Sequence, residues 1–105
     1  FGQSLIMISN FDYHGEWETG PYEKPLGRGI NFSFFVDDVQ SLHDRLVSKG
    51  VKPFVKKYTI WYWRPDCMEN YMEFAILDPD GYMLRFSERI GSRPHRPDDE
   101  DHMFE

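Results

Sequence analysis

The sequence predicts an α+β fold, and three segments carry that prediction. Residues 30–36 alternate as strand residues do, and residues 38–49 place apolar side chains at helical spacing. Residues 72–77 and 82–88 are two further strand-like runs, joined by an Asp-Pro-Asp-Gly turn. Proline presets one backbone angle and glycine accepts positive φ, so this tetrapeptide favours a tight hairpin turn.

The first predicted strand has two dissimilar faces. Successive side chains of a strand point to opposite sides of its sheet. One face is apolar and the other is mixed; the first carries Phe32, Phe34 and Val36, and the second carries Asn31, Ser33 and Phe35. We expect the apolar face to be covered by another element.

A helix is predicted from about Asp38 to Lys49. Asp37 is placed to cap its N-terminus, since Gln40 follows at the spacing of a capping box, and Gly50 supplies the stop. We expect its apolar stripe to pack on the apolar face of the first strand. The stripe consists of Val39, Leu42, Leu46 and Val47.

The segment after the helix completes the predicted sheet. Residues 51–63 predict one or two strands, and residues 65–70 predict a loop before the final hairpin. From residue 29 onward the predicted order is therefore strand, helix, strand, strand, strand. No internal repeat is visible.

Composition restricts the possible classes of function. A chain of 105 residues forms one domain, and its net charge of −6 argues against a nucleic-acid surface. No apolar run approaches the ~20 residues of a membrane helix. A single cysteine, Cys67, excludes an internal disulfide framework and fits a reducing cytoplasm. The four histidines have no partners at metal-ligand spacing, so no zinc or iron site is predicted.

The predicted domain organisation is one domain at residues 1–90 and a tail. Residues 3–9 predict a buried strand, and residues 10–28 predict a long connection that mixes acidic and aromatic side chains. Residues 91–105 contain an acidic run and are predicted to be a disordered tail.

Two motifs are the most specific part of the sequence. Residues 31–39 read Asn-Phe-Ser-Phe-Phe-Val-Asp-Asp-Val, and residues 73–82 read Glu-Phe-Ala-Ile-Leu-Asp-Pro-Asp-Gly-Tyr. Together they resemble the glyoxalase, bleomycin-resistance and extradiol-dioxygenase (vicinal oxygen chelate) superfamily, whose repeating module has the same βαβββ order. The resemblance implies that residues 29–88 form one module with a curved mixed sheet. It also implies that residues 1–9 hold the last strand of a preceding, truncated module.

The resemblance further implies a cavity and a dimer. In this superfamily two modules pair so that their curved sheets enclose a cavity, and a lone module would leave its concave face uncovered. A homodimer is therefore expected. In metal-dependent members, a His and a Glu on two strands of the module bind the metal; the matching positions here hold Asn31 and Arg85. Since an arginine cannot coordinate a metal, the resemblance favours the metal-free bleomycin-resistance branch, which binds a drug without chemistry.

The expected function is thus sequestration of a planar or cationic, antibiotic-like small molecule, with no cofactor, metal or catalytic residue. Glu73 and Arg85 are interpreted either as polar anchors of the ligand or as an ion pair that satisfies itself. Trp61 and Trp63 share one strand face, opposite to Tyr62, and are interpreted either as a stacking platform or as packing residues. The predicted ligand-binding residues are Asn31, Ser33, Phe35, Trp61, Trp63, Tyr71, Glu73 and Arg85.

Two other hypotheses remain open. One is a metal-dependent glyoxalase-like lyase or extradiol-type dioxygenase whose ligands come from other residues, such as His14 and Glu73. The other is a dimeric module without an evolved ligand, which acts through its dimer surface.

Overall fold

The computed structural model describes residue 3 and residues 20–99, and it confirms the predicted order of elements from residue 29 onward. The elements are β1 (Asn31–Phe35), α1 (Val39–Ser48), β2 (Val55–Trp63), β3 (Met68–Leu77) and β4 (Met83–Arg93). The strand predicted at residues 3–9 and most of the connection at 10–28 lie outside the described residues.

The four strands form one mixed sheet in the order β1-β4-β3-β2. Two successive hairpins join β2 to β3 and β3 to β4 in antiparallel fashion, and β1 lies parallel to β4. Irregularities in register at residues 55–58 of β2 and at residues 89–91 of β4 mark β-bulges, which bend and twist the strands that carry them. The α+β class with a mixed sheet is therefore confirmed.

Strand pairing defines two faces of the sheet. Residues paired across neighbouring strands point to the same side. One row joins Ser33, Arg85 and Ala75, and the next row on the same side joins Phe35, Ser87 and Glu73. We call this side the open face, because α1 packs on the opposite side, the helix face.

The hydrophobic core lies between α1 and the helix face. Val39, Phe74 and Ile76 are buried at its centre. The rings of Phe34 and Phe86 stack with centroids 5.6 Å apart, which continues the core toward the edge of the sheet. The prediction that the helix stripe packs on Phe32 and Phe34 of β1 is wrong, because both rings stay exposed, as does Val47. The rest of the stripe packs on β3 and β4 and closes the core. Partly buried apolar side chains complete it: Val36, Leu42, Leu46, Val51, Met72, Leu84 and Phe86.

The N-terminus of α1 is capped by Asp38, so the predicted cap at Asp37 is wrong by one residue. The Asp38 carboxylate accepts a hydrogen bond from the Ser41 amide at 2.9 Å. Gln40 does not close a capping box; its amide instead contacts Asp44 and Lys57. Tertiary packing determines which aspartate is the N-cap. Val39 is buried in the core as the first helical residue, so the cap is the residue before it, Asp38.

Replacing Asp38 with alanine is expected to lower the free energy of unfolding by about 1 kcal/mol, the usual contribution of an N-cap carboxylate. The neighbouring Asp37→Ala variant removes the same charge but no capping bond, and should change stability by no more than a few tenths of a kcal/mol. Urea unfolding of the two variants measures the difference. Equal losses in both would contradict the assignment of the cap to Asp38.

The predicted turn at residues 78–81 is confirmed in detail. The Asp78 side chain accepts hydrogen bonds from the amides of Asp80 and Tyr82, both at 2.9 Å. Gly81 has φ of 98°, and a Cβ on it would lie 2.6 Å from the Pro25 Cβ. Only glycine therefore fits this position, both for its backbone angle and for its contact with the preceding connection.

The last strands differ from the prediction in their extent. β3 begins at Met68, so the loop predicted at residues 65–70 ends before that residue and residues 68–70 belong to the strand. β4 continues to Arg93, and the Arg93 guanidinium pairs with the Asp99 carboxylate at 2.8 Å. Residues 91–93 thus belong to β4, and residues 100–105 lie outside the described part. Among residues 20–99, no helix is long and apolar enough to cross a membrane.

Candidate ligand-binding site on the open face

A buried carboxylate lies at the centre of the open face. The Glu73 side chain is only 2% exposed. Its Oε1 accepts hydrogen bonds from the hydroxyls of Tyr58 at 2.6 Å and Tyr62 at 2.9 Å, and its Oε2 accepts one from the Ser87 hydroxyl at 2.8 Å. Three hydroxyl donors thus replace the water that the carboxylate loses on burial.

The strand register brings these donors together. Ser87 and Tyr58 are the cross-strand partners of Glu73 on its two sides. The irregularity in β2 between Val55 and Tyr58 sets which β2 residue faces Glu73. Sequence reasoning missed Tyr58 and Tyr62 because a bulge shifts the alternation of a strand, and nothing in residues 51–63 indicates where that shift falls.

The two tyrosines are held in their neutral, donating form. Burial raises the pKa of Tyr58 well above its ordinary value, and the hydrogen bond to Glu73 raises it further. The pKa of Tyr62 is raised for the same two reasons in the same order. A nearby positive charge on Arg85 acts in the opposite direction on both pKa values without cancelling the rise. The hydroxyls therefore remain protonated donors at neutral pH.

Arg85 lies on the open face, one row from Glu73, but the two side chains form no ion pair. The register pairs Arg85 with Ala75 and Ser33, whereas Glu73 pairs with Ser87. Both Glu73 oxygens are already occupied by hydroxyls, and the buried Nε of Arg85 has no hydrogen-bond partner. The expectation that Arg85 and Glu73 would form a self-satisfying pair is therefore wrong.

Aromatic rings surround this polar centre. Tyr71 is buried, and its ring meets that of Tyr62 edge-on at 5.5 Å and that of Phe35 at 6.3 Å. Phe35 is 76% exposed and forms an apolar wall at the end of β1. The Arg64 guanidinium covers the Tyr62 ring at 5.3 Å. Planar, apolar surface is therefore available beside the hydroxyls and Arg85.

A pocket of about 380 Å³ opens at this end of the open face. Four of its lining residues belong to the open face: Phe35, Tyr71, Ser87 and Arg89. The others are Val36, Asp37 and Glu88, which lead toward the start of α1. Ser87 connects the pocket to the carboxylate cluster, because its hydroxyl donates to Glu73.

The tryptophans lie on the other side of the sheet. Trp61 pairs with Asn70, and Trp63 pairs with Met68. Because Tyr71 points to the open face and side chains alternate along β3, residues 68 and 70 point to the helix face, and so do the two tryptophans. The Arg93 guanidinium covers the Trp61 ring at 4.9 Å, and the His95 ring stacks on Trp63 at 5.0 Å. Trp61 and Trp63 share a face opposite to Tyr62, as expected, but the register places that face on the side of the sheet away from the candidate site, which argues against a stacking platform beside it.

The remaining predicted site residues lie on β1. Asn31 and Ser33 are exposed and lie on the open face with Phe35. The two positions that the family resemblance compares with metal ligands thus hold an amide and a guanidinium, and Glu73 is already surrounded by hydroxyl donors. In residues 20–99 no three His, Cys, Asp or Glu side chains lie together as metal ligands would. His14, named in the metal-dependent alternative, lies outside the described residues.

Comparison with solved structures finds a likeness to a known protein. No family model and no curated protein matches the chain. A matching solved structure is that of a glyoxalase/bleomycin resistance protein/dioxygenase superfamily member from Vibrio splendidus 12B01, with 30% identity and a TM-score of 0.55. The match covers 66% of this chain and 56% of that protein, so the chain spans a little over half of its length.

The fold, the two motifs and this likeness agree. They support the glyoxalase/bleomycin resistance/dioxygenase superfamily for this chain. The mixed sheet with one helix is consistent with a module of that superfamily, and the open face is the side on which the candidate site lies.

Proposed function

We propose that the chain is a small-molecule binding protein of the bleomycin-resistance type, which holds a planar or cationic, antibiotic-like ligand on the open face without a metal and without chemistry. The pocket of about 380 Å³ is the observation that carries the proposal. Its volume falls in the range of about 300–1,000 Å³ that is usual for ligand sites. The rings of Phe35 and Tyr71, together with the polar side chains of Ser87, Glu88 and Arg89, give it the mixed apolar and polar lining that such sites need.

The metal-free part of the proposal rests on the donor set. A guanidinium is always protonated and has no free lone pair, so Arg85 repels a metal ion instead of binding it. Asn31 is a weak ligand, and its side-chain oxygen lies 3.4 Å from the Ser33 hydroxyl. We expect protein purified without chelator to contain no stoichiometric transition metal by mass spectrometry, and a bound metal at one per protomer would overturn this part.

A homodimer and a cytoplasmic location complete the proposal. Among the described strands β1 lies at the edge of the sheet; its five residues are all exposed, and Phe32, Phe34 and Phe35 lie on it. An apolar edge of this kind is suited to a second copy of the chain, which would also enclose the open face. The single cysteine, Cys67, supports a reducing compartment.

Titration calorimetry with bleomycin and with simple cationic aromatic compounds, in the presence of a chelator, tests the proposal. We expect saturable binding, and we expect Phe35→Ala to weaken it about tenfold because truncation removes the apolar wall. Trp61→Ala is the matched control, since Trp61 is 42% exposed but lies on the opposite face, and it should bind as the wild type does.

Absence of binding by every compound would overturn the drug-sequestering proposal. A loss with Trp61→Ala but not with Phe35→Ala would move the site to the tryptophan face. Analytical ultracentrifugation tests the dimer separately, and a monomer at the concentrations used for calorimetry would contradict it.

A further inference from the structure

We propose that Arg85 is the specificity residue of the open face and that it binds an anionic, planar group of the ligand, such as an aromatic carboxylate. This inference deepens the proposed function and rests on it. Of the two ligand classes in that proposal, planar and cationic, it selects the planar class and adds a negatively charged hydrogen-bond acceptor to it.

The Arg85 guanidinium differs from the other arginines of the open face in having no carboxylate partner within the described residues. Arg64 and Arg89 each donate to Glu69 at 3.0 Å. The Nε of Arg85, by contrast, is buried without any hydrogen-bond partner. A buried polar group that lacks a partner destabilises the protein, and such groups in native structures usually mark a functional role or an unseen partner.

The nearest buried carboxylate does not serve as that partner. Tyr58 and Tyr62 occupy one oxygen of Glu73, and Ser87 occupies the other. All three hydroxyls donate to the carboxylate. Arg85 affects the pKa values of the two tyrosines only through its charge. Glu73 therefore does not form a direct ion pair with Arg85.

The side chains beside Arg85 on the neighbouring strands are small. Its cross-strand partners on the open face are Ser33 and Ala75, two of the smallest side chains on that face. Of the guanidinium nitrogens, Nε is buried without a partner, so a bound acceptor would satisfy a group that the protein leaves unpaired. A planar fork of donors matches a carboxylate in two parallel hydrogen bonds, which a neutral or cationic group cannot form.

The experiment compares three planar probes of the same shape: naphthoate, naphthamide and naphthylmethylammonium. We expect naphthoate to bind the wild type at least about tenfold more tightly than naphthamide, because a charge-assisted bidentate contact is the stronger one. Arg85→Met should abolish this preference, and Arg85→Lys should restore part of it by restoring the charge without the fork. Arg45→Met, on the exposed end of α1, removes the same charge far from the open face and should keep the preference.

A readout on the unmodified protein avoids dependence on the folding of the variants. In nitrogen-edited NMR spectra, the Nε–H signal of Arg85 should shift on addition of naphthoate and stay in place on addition of naphthamide. Circular dichroism of each variant checks that its fold is retained.

Different failures separate the two proposals. Equal or tighter binding of naphthamide or naphthylmethylammonium would overturn the role of Arg85 and leave ligand binding on the open face intact. A preference for naphthoate that survives Arg85→Met would do the same. If none of the three probes bound and bleomycin did not bind either, the proposed function would fall together with the inference.

Discussion

Replacing Glu73 with alanine is expected to lower the free energy of unfolding by about 3 kcal/mol. The substitution leaves the buried Ser87 hydroxyl without its acceptor and removes the common acceptor of two tyrosine hydroxyls. Relief of the desolvated charge offsets part of this loss, since a buried carboxylate is itself unfavourable. Three lost hydrogen bonds outweigh that relief, because hydrogen bonds to charged groups contribute about 1.5–3 kcal/mol each.

Three further variants test the explanation. Glu73→Gln keeps an acceptor oxygen and should cost only about 1 kcal/mol. Glu23→Ala removes an exposed carboxylate and should stay within about 0.5 kcal/mol of the wild type. A double-mutant cycle of Tyr58→Phe with Glu73→Ala should give a coupling energy of about 1 kcal/mol in chemical denaturation. An unchanged or higher stability of Glu73→Ala would contradict the prediction that these hydrogen bonds stabilise the fold.

Alkaline pH is expected to destabilise the protein through the same cluster. The folded protein raises the pKa of Tyr58 and of Tyr62, so the folded state keeps protons that the unfolded chain releases near pH ~10. Below that pH both states are protonated and the contribution is complete; above it stability falls as pH rises toward the folded pKa. We therefore expect the free energy of unfolding to be steady up to about pH 9 and to drop by about pH 11.

Denaturant unfolding at the two pH values measures this drop, and tyrosine absorbance follows the ionisation itself. The Tyr58→Phe variant loses one hydrogen bond at every pH. The difference between its free energies of unfolding at the two pH values should nevertheless be smaller than that of the wild type. Tyr82→Phe, outside the cluster, should keep the full difference. A drop of the same size in a Tyr58→Phe/Tyr62→Phe double variant would refute the assignment.

Local patterns were sufficient to predict the elements of the fold. The Asp-Pro-Asp-Gly turn fixed the final hairpin, because the Asp78 side chain and the positive φ of Gly81 specify it without help from the rest of the chain. The same holds for the stop of α1 at Gly50, whose φ is 88°. The boundaries of α1 and β3 were less predictable, since the choice of Asp38 over Asp37 and the start of β3 at Met68 depend on packing and pairing.

The candidate site was predictable only where strand alternation is regular. Phe35, Glu73 and Arg85 were correctly placed on one face, because β1 and the final hairpin keep their alternation through these residues. On β2 the irregularity before Tyr58 has no local sequence signal, so the tryptophans were placed on the wrong side and the tyrosines were missed. The register of the strands also decides which hydroxyls reach Glu73. Register could not be predicted from this single sequence, so the three hydrogen bonds could not be predicted either.

The parallel pairing of β1 with β4 has a consequence for folding. Ser33 and Phe35 meet their partners Arg85 and Ser87 about fifty positions along the chain, whereas the two hairpins join near neighbours. Closing so long a loop is entropically unfavourable, and contacts of this kind form late. We therefore expect the pocket that Phe35 lines to be assembled last, and fraying of β1 to dismantle it while both hairpins remain folded.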